Sequence, residues 1–84
     1  MENILYTFPN CDKCDQVKKL LLDKKIYYQE INIGTREGKE DFIKFYSVNR
    51  DKIKREDDGA VILPVLLLND EVYSGLEDTL NSIK

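Results

Sequence analysis

Ile4-Leu5-Tyr6-Thr7-Phe8-Pro9-Asn10-Cys11-Asp12-Lys13-Cys14 runs from a strand into a helix, with two cysteines at the junction. Ile4, Tyr6 and Phe8 alternate with Leu5 and Thr7, which predicts a strand over 3–8, and Pro9 ends the ladder because it has no N–H to give. A turn then delivers Cys11. Two sulfurs three residues apart at a helix start lie on its first turn. There, free backbone N–H groups and the positive end of the helix dipole favour a thiolate on the leading cysteine. The second thiol can close a disulfide on the first, so thiol chemistry is the leading reading of the pair.

Downstream of the pair, Cys14, Val17, Leu20 and Leu21 recur at helical spacing while Lys13, Lys18, Lys19 and Asp23 take the wet side, which predicts a helix over 12–24. Tyr27, Tyr28 and Ile31 predict a second strand over 27–31 that ends near Gly34. Strand, helix and strand in that order imply a parallel pair. Phe42, Phe45 and Tyr46 fall at i, i+3 and i+4 and predict a helix over 39–49 whose aromatic face is core. From Arg50 to Asp58 every residue except Ile53 is charged, which reads as a continued exposed helix or a solvated connector, ended by Gly59. Ile62-Leu63-Pro64-Val65-Leu66-Leu67-Leu68 reads as a buried strand opened by the proline. Asn69-Asp70 reads as a tight hairpin turn, and Glu71-Val72-Tyr73 as its antiparallel partner. Ser74 is expected to cap a last helix, with Glu77 three residues on and Leu76, Leu80 and Ile83 along one face. The order βαβαββα predicts an α/β domain with a mixed four-stranded sheet and helices on both faces.

Composition narrows the setting. Eighty-four residues, 42% of them apolar and 10% aromatic, suffice for a single domain over 1–84 with one small core. Met1-Glu2-Asn3 lacks the basic start of a signal peptide, and no stretch is long enough to span a membrane, so a soluble cytoplasmic protein is expected. A disulfide between Cys11 and Cys14 would close too small a loop to staple the fold, which favours reactive use of the pair. With no histidine and no further cysteine, a zinc site would need carboxylates or a second chain. A net charge of -3, a pI near 4.9 and interleaved acidic and basic residues argue against nucleic acid as a partner.

At this length the element order matches the thioredoxin fold, and three local runs together resemble the glutaredoxin branch of that superfamily. Tyr6-Thr7-x-Pro9-x-Cys11-x-x-Cys14 is similar to the glutaredoxin active-site run. Leu63-Pro64 stands where the family has a residue followed by a cis-proline, and Ser74-Gly75-Leu76-Glu77-Asp78 is similar to the Gly-Gly-x-x-Asp segment that opens the last helix. The resemblance implies a thiol–disulfide oxidoreductase in which Cys11 attacks a disulfide and Cys14 resolves the mixed disulfide. It also implies a substrate groove formed by Leu63 and Pro64, with Ser74, Gly75, Leu76, Glu77 and Asp78 beside it, and Asp78 receiving the glutathione amino group. No bound cofactor or metal is implied. Glutathione is the implied co-substrate, and a monomer is expected.

This chain departs from the family where glutathione would sit. Phe8 stands where glutaredoxins commonly carry a lysine, and Ser74 replaces the first glycine of the last segment. Asp12-Lys13 replaces the usual pair between the cysteines, with Asp15 next, so two carboxylates crowd Cys11 and are expected to raise its pKa and make the dithiol less oxidising. These departures favour an alternative within the class, a redoxin reduced by thioredoxin reductase, of the type that supplies electrons to ribonucleotide reductase. Lys52, Lys54 and Arg55 are candidates to meet an acidic partner or a glutathione carboxylate. From other classes, a metal or iron–sulfur carrier using Cys11 in a dimer, and a binding module with unused cysteines, remain as alternatives.

Overall fold

The computed structural model describes residues 3–83; Met1 and Glu2, which entered the reading of the N-terminus, lie outside them. The chain runs β1 (Ile4–Thr7), α1 (Asp12–Asp23), β2 (Gln29–Asn32), α2 (Arg36–Asn49), β3 (Val65–Leu68), β4 (Glu71–Ser74) and α3 (Leu76–Ile83), with a single 3-10 turn at Arg50–Lys52 after α2. The sheet order is β2-β1-β3-β4, parallel between β1 and β2 and antiparallel elsewhere. This is the expected βαβαββα order and mixed four-stranded sheet.

Strand β1 is central, so both its faces are covered. Leu5 joins Leu66 and Leu68 against Val17, Leu21 and Ile83, placing α1 and α3 on one side. Tyr6 and Val65 face the other way, against Phe42 and Ile53, with Phe45 and Tyr46 packed alongside. Tyr6, Phe42, Phe45 and Tyr46 form one aromatic group with ring centroids 4.8–6.4 Å apart, which makes the α2 aromatics core as expected. Asn69 and Asp70 both take positive φ, 50° and 68°, as a two-residue hairpin turn with right-handed strand twist requires.

Four boundaries differ from the sequence reading. Helix α1 ends in a Schellman arrangement built on Lys25 at φ 56°. Ile26 N–H donates to the Leu21 carbonyl and Lys25 N–H to the Leu22 carbonyl, each at 3.0 Å. The chain then joins the sheet only at Gln29, whose N–H meets the Asn3 carbonyl at 2.8 Å, so Tyr27 lies outside β2 and is 95% exposed. Helix α2 begins at Arg36 rather than Lys39, because the Thr35 hydroxyl accepts from Gly38 N–H at 3.0 Å and caps it. Strand β3 begins at Val65 rather than Ile62, because the Ile62 N–H is committed to the Lys54 carbonyl, outside the sheet, and Leu63–Pro64, a cis pair, follows it.

A further finding concerns the charged stretch, which does not continue α2 and is largely exposed, as a solvated connector would be. Ile53 is buried and anchors it. The following residues fold into a miniature hairpin in which Arg55 bridges Val61, Ile62 N–H donates to the Lys54 carbonyl at 3.0 Å, and Glu56 N–H donates to the Ala60 carbonyl at 2.7 Å. Gly59, at φ 92°, closes the turn. The arginines on this segment lie over Tyr46, with the Arg55 guanidinium 5.0 Å and that of Arg50 6.0 Å from the ring centroid. Among the described residues, no helix is long and apolar enough to cross a membrane.

Gly38 carries a test of the α2–β2 contact. A Cβ there would stand 1.9 Å from the Asn32 carbonyl oxygen, so the first turn of α2 rests directly on the end of β2. In an open helix Gly→Ala is stabilising. Here Gly38→Ala is expected to destabilise the fold by about 1–3 kcal/mol through overpacking, read as a lower urea midpoint at unchanged slope; a higher midpoint would contradict the contact.

Candidate active site

The junction of β1 and α1 sets the cysteines. Cys11 is the residue before the helix, with extended backbone at φ -106° and ψ 101°, and its sulfur accepts from Cys14 N–H at 3.1 Å. The helix start thus directs a backbone N–H at the leading sulfur, the electrostatic arrangement that favours a thiolate when the pair is reduced. Cys11 and Cys14 are joined as a disulfide with Cα atoms 5.2 Å apart. Their exposure is unequal: Cys14 is 1% exposed and continues the buried face of Val17 and Leu21, whereas Cys11 is half-buried.

Of the carboxylates near the pair, Asp15 is shared. Lys18 Nζ lies 3.3 Å from Asp15 and 3.3 Å from Glu30 on β2, and Glu30 accepts from the buried Thr7 hydroxyl at 2.9 Å. Desolvation works against the Lys18 charge, but its hydrogen bonds and attraction to Asp15 and Glu30 prevail and raise its pKa. Lys13 is therefore not alone in offsetting the two acidic residues, and the crowding expected from Asp12 and Asp15 is reduced by Lys18.

The C-terminal residues of the site converge. A groove of about 510 Å³ is lined by Lys13, from between the cysteines, together with Ser74, Gly75, Leu76, Glu77 and Asp78 and with Lys54, Ile62 and Leu80. Leu63 and Pro64, expected in the substrate groove, do not line it: Pro64 is fully buried, and its carbonyl accepts from Gly75 N–H at 2.9 Å, tying this cis-bonded segment to the start of α3. The Tyr6–Val65 pairing puts that cis bond at the end of the sheet from which the cysteine loop departs.

Ser74 is not the helix cap that its place in the sequence suggests. Gly75, at φ 93°, stands before the helix and its carbonyl accepts the first helical bond from Thr79. The Ser74 hydroxyl is buried elsewhere: it donates to the Ile62 carbonyl at 3.0 Å and accepts from Lys54 N–H at 3.1 Å. The serine that replaces a family glycine therefore clasps the base of the miniature hairpin to β4. Lys54, held there, sends its ammonium to the Asp78 carboxylate. Lys54 thus meets an acidic residue of its own chain, and Arg55 is spent on Tyr46. Ile62 and Leu80 are groove residues the sequence did not single out; each reads there as ordinary apolar patterning. Phe8 is 51% exposed beside the cysteine loop. Among the described residues no group of three or more His, Cys, Asp or Glu side chains is placed to hold a metal ion.

A Cys-x-x-Cys pair at the strand-to-helix junction of a four-stranded mixed sheet, with a cis-proline at the same end, is the arrangement of the thioredoxin fold. The chain belongs to the glutaredoxin family, whose sequence profile matches residues 3–73. Glutaredoxin 1 of Rickettsia felis is 44% identical over 43 residues, which is 49% of this chain and 42% of that protein, so the match spans less than half of the relative's length. Two solved structures share the fold: glutaredoxin 1 from Francisella tularensis, with a TM-score of 0.66 at 18% identity over 96% of this chain and 88% of that one, and the glutaredoxin-like protein NrdH-redoxin from Escherichia coli, described as having a thioredoxin-like activity profile, with a TM-score of 0.64 at 21% identity over 100% and 96%.

The clasp at Ser74 makes a direct prediction. Ser74→Ala removes the acceptor of Lys54 N–H and the donor to Ile62, and is expected to cost about 1–3 kcal/mol. Hydrogen exchange at the Lys54 amide should accelerate well beyond that at the Leu66 amide in β3. Equal protection of Lys54 in both proteins would show that the hydroxyl is not what holds the hairpin.

Proposed function

We propose that the protein is a thiol–disulfide oxidoreductase that reduces protein disulfides or glutathione mixed disulfides through Cys11, with Cys14 resolving. The observation that carries this reading is the unequal pair: Cys11 half-buried at the head of α1 with a backbone N–H on its sulfur, and Cys14 shut into the core three residues on. In the reduced protein the Cys11 thiolate attacks one sulfur of the substrate disulfide. A Cys11–substrate disulfide forms and the other substrate sulfur leaves as a thiolate, which takes a proton from water. The Cys14 thiol then loses its proton to solvent and attacks Cys11. The second substrate thiolate departs and the Cys11–Cys14 disulfide forms, so two electrons pass from the dithiol to the substrate. An external thiol reductant, either glutathione or a reductase, returns the pair to the dithiol.

In this reading the half-buried Leu63, next to the groove residue Ile62, offers its backbone to the substrate, and the buried Pro64 fixes that segment against the sheet. Leu63 lies outside the β3 ladder, which begins at Val65, so its backbone is not committed to pairing with β1 and can meet an extended peptide. Gly75, Leu76, Glu77 and Asp78 supply the floor, at the start of α3. The chemistry needs no bound cofactor, and a reducing compartment such as the cytoplasm suits a pair that must return to the dithiol. A second reading, electrons taken from thioredoxin reductase, is favoured by Phe8: an apolar, half-exposed side chain beside the cysteines presents a surface to a protein partner and no cation to a glutathione carboxylate.

Two variants test the assignment. Cys11→Ser is expected to abolish insulin-disulfide reduction. Cys14→Ser is expected to accumulate a mixed disulfide at Cys11, seen by mass spectrometry as a one-to-one adduct with the substrate thiol. An adduct on Cys14 in the Cys11→Ser protein, at wild-type rate, would reverse the roles.

A further inference from the structure

We propose that Lys54 is a specificity-determining residue: by occupying the Asp78 carboxylate it withholds that group from ammonium-bearing thiol substrates and biases the groove toward disulfides carried on proteins. The proposal rests on the thiol–disulfide exchange reading and adds to it the selection among substrates.

The groove beside the cysteines holds two cations, Lys13 and Lys54, and two anions, Glu77 and Asp78. Three of the four belong to the segments that define the site, the cysteine spacer and the start of α3. Lys54 does not. It comes from the miniature hairpin, and its backbone is pinned on both sides, through its N–H to the Ser74 hydroxyl at 3.1 Å and through its carbonyl to Ile62 N–H at 3.0 Å. A lysine on a loose loop gives up backbone and side-chain freedom to make an ion pair; one rooted in this way gives up mainly side-chain freedom. The pair with Asp78 crosses the groove from hairpin to helix.

A small peptide thiol such as glutathione carries a free ammonium close to its thiol. To place that ammonium on Asp78 it must first displace Lys54, so part of its binding free energy is lost. A cysteine within a protein carries no ammonium of its own nearby, and its backbone has no call on Asp78. The ion pair therefore penalises the first substrate and leaves the second unaffected. Because both side chains are substantially exposed, at 60% and 40%, the penalty is modest. Solvent-exposed pairs of this kind correspond to about a 1.5-fold to fivefold effect on a rate.

The experiment uses the full chain, oxidised, as wild type and Lys54→Met, which keeps the length of the side chain and removes its charge. Reduction of the Cys11–Cys14 disulfide is followed with two thiols, glutathione and N-acetyl-glutathione, which lacks the ammonium. The expected result is about a 1.5-fold to fivefold faster reaction of Lys54→Met with glutathione and an unchanged rate with the acetylated thiol. Adding Asp78→Asn to Lys54→Met should return the glutathione rate to that of wild type. An equal rise with both thiols would mean that the substitution merely opens the groove. A fall with both would mean that Lys54 attracts the glutathione carboxylates. No change with either would mean that the pair is irrelevant to selection. Each of the three overturns the proposal. Insulin reduction by the wild type is the independent control: its presence with unaltered thiol selectivity counts against Lys54 alone, and its absence overturns the exchange reading and this proposal with it.

Discussion

Burial of β1 on both faces is the constraint on which the rest of the molecule depends. Leu5 belongs to one core and Tyr6 to the other, and a one-residue slip of the strand would exchange them and place each against the wrong helix layer. With the register held by Leu66 opposite Leu5 and Val65 opposite Tyr6, the point at which the chain leaves the sheet is determined. Pro9 and Asn10, the latter at φ 57°, turn it within a few residues. Helix α1 has its own anchor in Val17 and Leu21, so the interval between Thr7 and Val17 has little freedom, and Cys11 falls at the helix start with its sulfur on the Cys14 N–H. Cys14, one turn before Val17 on the same face, is carried inside. The unequal exposure of the two sulfurs follows from strand packing and helical period together.

A second dependence runs from a single hydroxyl. The miniature hairpin is almost wholly charged apart from Ile53 and the residues near its return, and it has little apolar area of its own to bury. Its place is set by Ile53 beneath, by the Arg55 guanidinium over Tyr46, and by the Ser74 hydroxyl across its base. Of these, the hydroxyl is the directional one. A glycine at that position, as in the family pattern, would leave the Lys54 N–H and the Ile62 carbonyl without that partner in a half-buried place. The replacement of glycine by serine and the charged stretch that precedes it are thus one structural feature seen at two places in the chain, twenty residues apart.

What the sequence disclosed followed the range of the interactions. The strand at Ile4–Thr7, the helix behind the cysteines and the Asn69-Asp70 turn were legible because alternation, helical period and positive-φ residues are local signals. The end of α1 was less so: Lys25 occupies a left-handed position that glycine ordinarily marks, and the β-favouring Tyr27 and Tyr28 that follow suggested strand where the pairing with β1 had not begun. The start of α2 was hidden by Gly38, a poor helix former retained because the Asn32 carbonyl leaves no room for a Cβ. Ser74 satisfied the local rule for a helix cap, and its true partners, Lys54 and Ile62, are remote in sequence. The cysteine pair and the 74–78 segment were legible as motifs, but that Lys54 would reach Asp78 depended on a hairpin whose pairing no short-range pattern announces.

The charges near the cysteines divide into two circuits. One runs from the buried Thr7 hydroxyl through Glu30 and Lys18 to Asp15, linking the end of β1 and the edge strand β2 to the first turn of α1. Its members are tied to one another, so Asp15 presents less net charge to Cys11 than its position in the chain suggests. The other joins Lys54 to Asp78 across the groove, with Lys13 and Glu77 close by. In the first circuit Lys18 stands between the Asp15 and Glu30 carboxylates, 3.3 Å from each. In the second, Asp78 is paired with Lys54 within the groove that also holds Lys13 and Glu77. The two sets of ion pairs share no residue, Lys18 with Asp15 and Glu30 in one and Lys54 with Asp78 in the other, so a substitution in one is expected to leave the other unchanged.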